Sequence, residues 1–407
     1  MKILLCVSGS ISAYKALDLT RGLVNNGHQV KIILTTGALK FVVPEVFSYL
    51  GTEEVYLSDS DFKNKNVLHV DLARWCDCLV IAPLSANTLS RLARGEASDL
   101  LTSVFLALES HKPICLFPAM NTHMLSHPFT QENLASVLKL KTLQNVFISA
   151  TNSGILACAE MGLGKLPTVE EIITLIPTLR APFTKTSKLK KIVISTGATI
   201  APLDPVRYLT NSSSGITGFH LAVSALKQGY EVVVIAGKNA TAQLDLLVKH
   251  PNFQLQRVVT VSDMYAAIKR ETSNAQVYLS AAAISDIEFD VTLEKVKKEH
   301  INQSIKVNKA IDILKSIIDS KPHGLKIVGF AAETNLSDEV LTKKFNSKPV
   351  DLLVGTKVDN GLVGNNEVSG FNTENATYRF MQNNMITSET ELKKSELGEY
   401  IFQKIGL

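Results

Sequence analysis

"MKILLCVSGSISAYKALDLTRGLVNNGHQVKIIL", residues 1–34, decides the fold. Lys2 to Val7 is an apolar run that turns at once into a Gly/Ser loop. From Ala13 to Asn25 apolar residues return at helical spacing, and Val30 to Leu34 is a second apolar run. Strand, helix and strand in so short a stretch make a βαβ unit, whose two strands pair in parallel. The strands are near-continuous Val, Ile and Leu rather than alternating, so both faces of the sheet are covered. Cys78 to Ala82 and Pro113 to Phe117 add two strands of the same kind. Ligands of such sheets sit outside the carboxyl ends of the strands. Four loops therefore converge on one side: Gly9 to Tyr14, Thr35 to Phe41, Pro83 to Thr88 and Pro118 to Met124.

At 407 residues the chain exceeds one ordinary core, and two domains are expected. "IPTLRAPFTKTSKLKK", residues 176–191, replaces the periodic apolar pattern with Pro, Thr and Lys and reads as a linker. The pattern then restarts. Lys191 to Ser195 is a strand, Gly218 to Gln228 a helix and Glu231 to Ala236 a strand, followed by strands at Val277 to Ser280, Lys326 to Phe330 and Leu352 to Val354. The fold expected is α/β with two domains, residues 1–180 and 190–407, the first flavodoxin-like or Rossmann-like and the second Rossmann-like.

Hydrophobic residues at 45% and charged residues at 20% exclude a mainly disordered chain. A net charge of +4 without a basic arm or interleaved aromatics does not support nucleic-acid binding and suits anionic metabolites. Three of the five cysteines lie in apolar strands, as reduced thiols do, and Cys76 and Cys78 lack zinc-site spacing. No protein metal site is expected, no stretch is long enough to span a membrane, and the N-terminus reads as a first strand rather than a signal peptide. A cytoplasmic enzyme is the expectation.

"GSISAYKA", residues 9–16, is not a dinucleotide loop, because Ser10 and Ser12 stand where glycines would admit a pyrophosphate. Backbone N–H groups and hydroxyls at a helix start still suit a single phosphate. "TTGALKF" and "PLSANT" bring further hydroxyls and an amide to neighbouring strand ends. In "LFPAMNTHM", residues 116–124, Asn121 follows a buried strand between two methionines. It reads either as an N-cap or as a carboxamide presented to a ligand.

"GSISAYKA", "HVDLARW", "APLSANT", "PAMNTHM" and "SGILACAEMGLGKL" together resemble the homo-oligomeric flavin-containing Cys decarboxylases over about residues 1–175. The resemblance implies FMN held by Gly9, Ser10, Ile11, Thr35, Thr36, Gly37, Ser85, Ala86, Asn87, Thr88 and Ala119. It implies catalysis by His69, by Asn121 on the substrate carboxylate and by Cys158 as proton donor of a substrate clamp. A carbanion beside a simple thiol is too poor an intermediate for loss of carbon dioxide, so a cofactor must supply an electron sink. In the family the cysteinyl side chain is oxidised to a thioaldehyde, decarboxylated to an enethiol and reduced again.

"LDPVRYLTNSSSG", "SAAAISD", "EKVKK" and "VGFAAET" resemble phosphopantothenate-cysteine ligase over about residues 190–403. In bacterial relatives CTP with Mg2+ activates the phosphopantothenate carboxylate as an acyl-cytidylate, and cysteine displaces CMP. The resemblance gives catalytic roles to Asn211 and Lys295. It places Arg207, Ser280, Ala281, Ala282, Asp286, Lys295, Ile311, Asp312, Ile313, Leu314, Phe330, Lys344 and Lys348 around the substrate and CTP. Fused, the halves resemble the bifunctional flavoproteins of coenzyme A biosynthesis, which implies a homo-oligomer built on trimers, up to a dodecamer. Two other functions fit the same halves: a regulatory flavoprotein that binds a partner, and a single-function enzyme with one inactive half.

Overall fold

The structure, a computed structural model, describes residues 1–52, 54–60, 67–140, 145–155, 160–180, 190–291, 294–295, 306–360, 368–370 and 373–407. The chain divides into two compact units, Met1–Ser187 with Lys249–Pro251, and Lys188–Val248 with Asn252–Leu407.

The first unit is built on six strands: β1 (Lys2–Val7), β2 (Gln29–Leu34), β3 (Glu54–Leu57), β4 (Cys78–Leu84), β5 (Ile114–Pro118) and β6 (Val146–Ile148). They pair in the order β3-β2-β1-β4-β5-β6, all in parallel. This is the Rossmann order, not the flavodoxin order, and it reverses between β1 and β4. Side chains alternate between two cores: Ile3, Leu5 and Val7 enter one, Leu4 and Cys6 the other. All five are fully buried, which accounts for the absence of polar alternation in the sequence. Each such Leu or Ile contributes about 1.5–3 kcal/mol of burial. A separate hairpin, β7 (Asn152–Ile155) with β8 (Met161–Lys165), stands off the sheet.

The apolar pattern of this unit runs further than its sequence suggests. Ile176 and Leu179, in the stretch read as a linker, are fully buried in the first core, within a short 3-10 helix Ile176–Arg180. Their i, i+3 spacing, interrupted by Pro177, is too short to register as a helical period.

The second unit repeats the topology. Phe253–Val258, Glu231–Gly237, Lys191–Thr196, Val277–Ser280, Lys326–Glu333 and Leu352–Lys357 lie side by side in parallel in that order, which is again the third, second, first, fourth, fifth and sixth strand. Asn375–Gln382 then joins antiparallel to Leu352–Lys357. Ile192 and Ile194 face one core and Val193 the other. The helix Ile216–Lys227 packs close to the first strand because Gly218 has no side chain; a Cβ there would lie 2.2 Å from Thr196 Oγ1. Among the described residues no helix is long and apolar enough to cross a membrane.

Candidate active sites

At the reversal point of the first sheet the loops after β1, β4 and β5 enclose a cavity of about 630 Å³. Ser8 fixes its floor. The hydroxyl, fully buried at the end of β1, donates to the Pro83 carbonyl at 2.8 Å and accepts the Ser85 N–H at 2.7 Å. Ser85 in turn caps the helix Ala86–Arg94 by accepting from the Thr88 N–H. Ser8→Ala leaves the partly buried Ser85 N–H without its acceptor, so stability falls by about 1 kcal/mol. A urea midpoint that drops at constant m-value checks this.

The loops after β1 and β2 meet where Gly9 passes Gly37, and a Cβ on Gly9 would lie 2.9 Å from the Gly37 backbone. Ser10 caps the turn Ile11–Tyr14, accepting from the Ser12 N–H, and donates to the Ala119 carbonyl at 3.2 Å. It thereby ties the β1 loop to the β5 loop. Asn121 is an N-cap that also borders the cavity. Its Oδ1 accepts the His123 N–H at 2.8 Å, capping the helix Thr122–Ser126, while the residue lines the cavity.

Of the residues expected at a flavin, Gly9, Ser10, Ile11, Ser85, Ala86 and Ala119 line the cavity, together with Asn121. Thr35, Thr36 and Gly37 stand behind it. Thr35 donates to the Val7 carbonyl and accepts from the Ala38 N–H, and the Thr36 N–H bonds Ser58. Thr88 is buried and Asn87 exposed on the capped helix. His69, second residue of the helix Leu68–Trp75, is not among the cavity's lining residues. Cys158 lies outside the described residues.

Sequence reasoning passed over Lys15 and Lys165, which line this cavity with Tyr14 and Phe41. No carboxylate is among its described lining residues. Burial, and after it the Lys165 ammonium, push the Lys15 pKa down, as for a cation lacking an anion nearby. The signal was present as a lysine one turn beyond a Gly/Ser loop. Two lysines, a serine-rich turn and an apolar wall of Ile11, Phe41, Ala86 and Met120 fit a flat apolar ring system carrying phosphate.

A smaller cavity of about 110 Å³ lies at the reversal point of the second sheet. Ser213, Ser214 and Gly215 form one wall, and Ala281, Ala282 and Phe330 another. Gly215 has φ 79° and caps the helix Ile216–Lys227 without a side chain. The remaining expected residues stand outside the lining. Asn211 Nδ2 donates to the Ala283 and Ile284 carbonyls at 3.3 Å each. Ser280 is buried and accepts from the Tyr278 hydroxyl, and Asp286 is exposed. Arg207 Nε donates to the fully buried Asp204 carboxylate at 2.9 Å.

Asp312 caps the helix Ile313–Asp319, which carries Leu314, and pairs with Lys348 at 2.8 Å; Ile311 beside it is exposed. Burial works to raise the Asp312 carboxyl, yet the Lys348 ammonium and the Lys315 N–H outweigh it and hold it below the usual carboxylate range. Lys344 pairs with Glu333 at 2.7 Å, and Lys295 is exposed. Among the described residues no cluster of three or more His, Cys, Asp or Glu has the geometry to hold a metal.

Residues 1–180 match the Flavoprotein family, and residues 187–406 match the family described as DNA/pantothenate metabolism flavoprotein C-terminal domain. The coenzyme A biosynthesis bifunctional protein CoaBC of Bacillus subtilis (strain 168) is 34% identical over 359 residues, covering 88% of this chain and 86% of that protein. The chain belongs to the CoaBC family. Its similarity to the protein of that name from Haemophilus influenzae (strain ATCC 51907 / DSM 11121 / KW20 / Rd) is 33% identity over 408 residues, with 98% of this chain and 96% of that protein covered. Among solved structures, the FMN binding protein AtHal3 is 34% identical and covers 43% of this chain and 94% of its own, with a TM-score of 0.38. As a CoaBC family member the chain is a two-activity enzyme of coenzyme A biosynthesis, a decarboxylase joined to a ligase.

Proposed function

We propose that residues 190–407 join cysteine to phosphopantothenate, with CTP and Mg2+ activating the carboxylate as an acyl-cytidylate. Residues 1–180 then decarboxylate the phosphopantothenoylcysteine with FMN. The observation that carries the flavin half is the cavity at the first reversal point, lined by Asn121 and two lysines and by no described carboxylate. FMN, when bound, supplies the electron sink that lets carbon dioxide leave from a thiol-bearing side chain.

The protein groups do the rest. Lys15 and Lys165 draw the anionic substrate in. Asn121, oriented by its own cap, holds the departing carboxylate by hydrogen bonds without the charge pairing that would stabilise the ground state. His69 and Cys158 move protons at the reacting carbons. A second copy supplies His69 in a homo-oligomer built on trimers, a reading supported by its not being among the described residues that line the cavity of its own chain. In the ligase half Lys295 neutralises charge developing on the nucleotide phosphates, and Asn211 stands beside the acyl phosphate. Mg2+ arrives with the nucleotide. The four described cysteines are buried as small apolar side chains, which suits the cytoplasm.

The purified chain should be yellow and release FMN on denaturation. A colourless preparation that gains no flavin absorbance when FMN is supplied contradicts the decarboxylase assignment.

A further inference from the structure

Lys394 begins the C-terminal helix Lys394–Lys404, far along the chain from every motif that marks the ligase, yet it lines the cavity at the start of the helix Ile216–Lys227. It is only 2% exposed. A buried lysine is normally paired, and three of the four cations expected around the substrate and nucleotide are, all but the exposed Lys295: Arg207 with Asp204, Lys344 with Glu333 and Lys348 with Asp312. No such partner faces the Lys394 ammonium among the described residues. Glu374, whose carbonyl accepts the Lys394 backbone N–H, sends its carboxylate to Lys393 at 3.6 Å.

Two neighbouring observations point the same way. Burial alone pushes the Lys394 pKa down, and the His220 pKa is lowered by burial and then by the Lys394 charge. Lys227 also lowers it and Glu374 raises it. Opposite Lys394, the first turn of Ile216–Lys227 has no side-chain cap, so N–H groups that find no partner within the helix face the same cavity as the Ser213 and Ser214 residues. At about 110 Å³ the cavity is too small for a nucleotide and of a size for one phosphoryl group.

We propose that Lys394 is a phosphate-binding residue of the ligase half, closing with the Ser213–Gly215 loop and the uncapped helix start a subsite for one phosphoryl group. This rests on the ligase reading and deepens it. The phosphoryl group comes either from the triphosphate chain of the nucleotide or from the phosphorylated substrate.

Calorimetric titration of the full chain with sodium tripolyphosphate and, separately, with phosphopantothenate distinguishes the two sources. The ligand that meets Lys394 binds about 10- to 100-fold more weakly to Lys394→Met and retains most of its affinity in Lys394→Arg. Without ligand, Lys394→Met melts at the same temperature as the unaltered chain or higher, since a charge held from water has been removed. Equal affinity of both ligands for Lys394→Met and the unaltered chain overturns the proposal, as does a fall in melting temperature matched by rescue of binding on stabilising the fold.

A second measurement needs no substitution. Saturating the unaltered chain with the bound ligand raises the His220 pKa, followed by NMR of its ring protons, because the anion offsets the Lys394 charge. An unmoved His220 titration overturns the proposal whatever the variants do. CMP formation by the unaltered chain tests the ligase reading by itself, so a chain that makes no CMP but binds tripolyphosphate through Lys394 keeps the subsite and loses the ligase.

Discussion

Asn121→Asp releases carbon dioxide from phosphopantothenoylcysteine at least about a hundredfold more slowly than the unaltered chain and keeps its flavin. The choice of aspartate separates the two roles of this residue. Asp is as good an N-cap as Asn, so the bond to the His123 N–H and the short helix Thr122–Ser126 survive. What changes is the charge presented to the substrate carboxylate, from a donor to a repelling anion. Asn121→Ala loses the cap as well, about 1 kcal/mol, and falls similarly in rate. Full activity in Asn121→Asp with loss in Asn121→Ala would mean that capping is the whole of its contribution. Flavin content and single-turnover carbon dioxide release decide between them.

The same variant tests the shared site. His69→Gln and Asn121→Asp chains are each inactive alone. Co-assembled in equal amounts they recover about a quarter of full activity, because one site in four then draws an intact His69 and an intact Asn121 from different chains. No recovery on mixing would place both residues in the same copy.

Lys295→Gln has the second large effect, and it falls on the other half. Charge developing on the nucleotide phosphates loses its counter-ion, so CMP formation drops about 10²- to 10³-fold. Carbon dioxide release from supplied phosphopantothenoylcysteine is unchanged, since each half has its own sheet and its own cores. Lys295 is the exposed member of the expected cation set, while Lys344 and Lys348 are held by Glu333 and Asp312. Nucleotide binding through those two must exchange a carboxylate for a phosphate, so their replacement affects affinity more than rate. A Lys295→Gln chain that forms CMP at the full rate removes Lys295 from the mechanism.

How much of this was legible in the sequence depended on burial. The central strands Lys2–Val7, Cys78–Leu84, Lys191–Thr196 and Val277–Ser280 are covered on both faces, and their unbroken apolar runs announce them. The peripheral strands did not show. Phe253–Val258, "FQLQRV", borders only one strand and alternates polar with apolar residues, and Glu54–Leu57 is four residues long with no fully buried member. Asn375–Gln382 alternates polar with apolar residues as far as Phe380, as an antiparallel strand with one wet face does, and Met381, buried in the opposite core, breaks the pattern.

The site was legible where a residue's type is unusual for its place, as with Asn121 after a buried strand. It was hidden where geometry assigns the role. Ser8 reads as the first residue of a loop, and only the fold places its hydroxyl between β1 and β4. Lys394 reads as one of two adjacent lysines before a helix, and only the packing of that helix buries one and exposes the other.

The central claim is that one chain carries both reactions in sequence. The most direct test is to incubate the purified protein with phosphopantothenate, cysteine, CTP and Mg2+ and to follow CMP and carbon dioxide together. Equal amounts of both, with carbon dioxide lagging behind CMP, are predicted. CMP without carbon dioxide would leave a ligase with an inactive flavin half, and the absence of both would contradict the account.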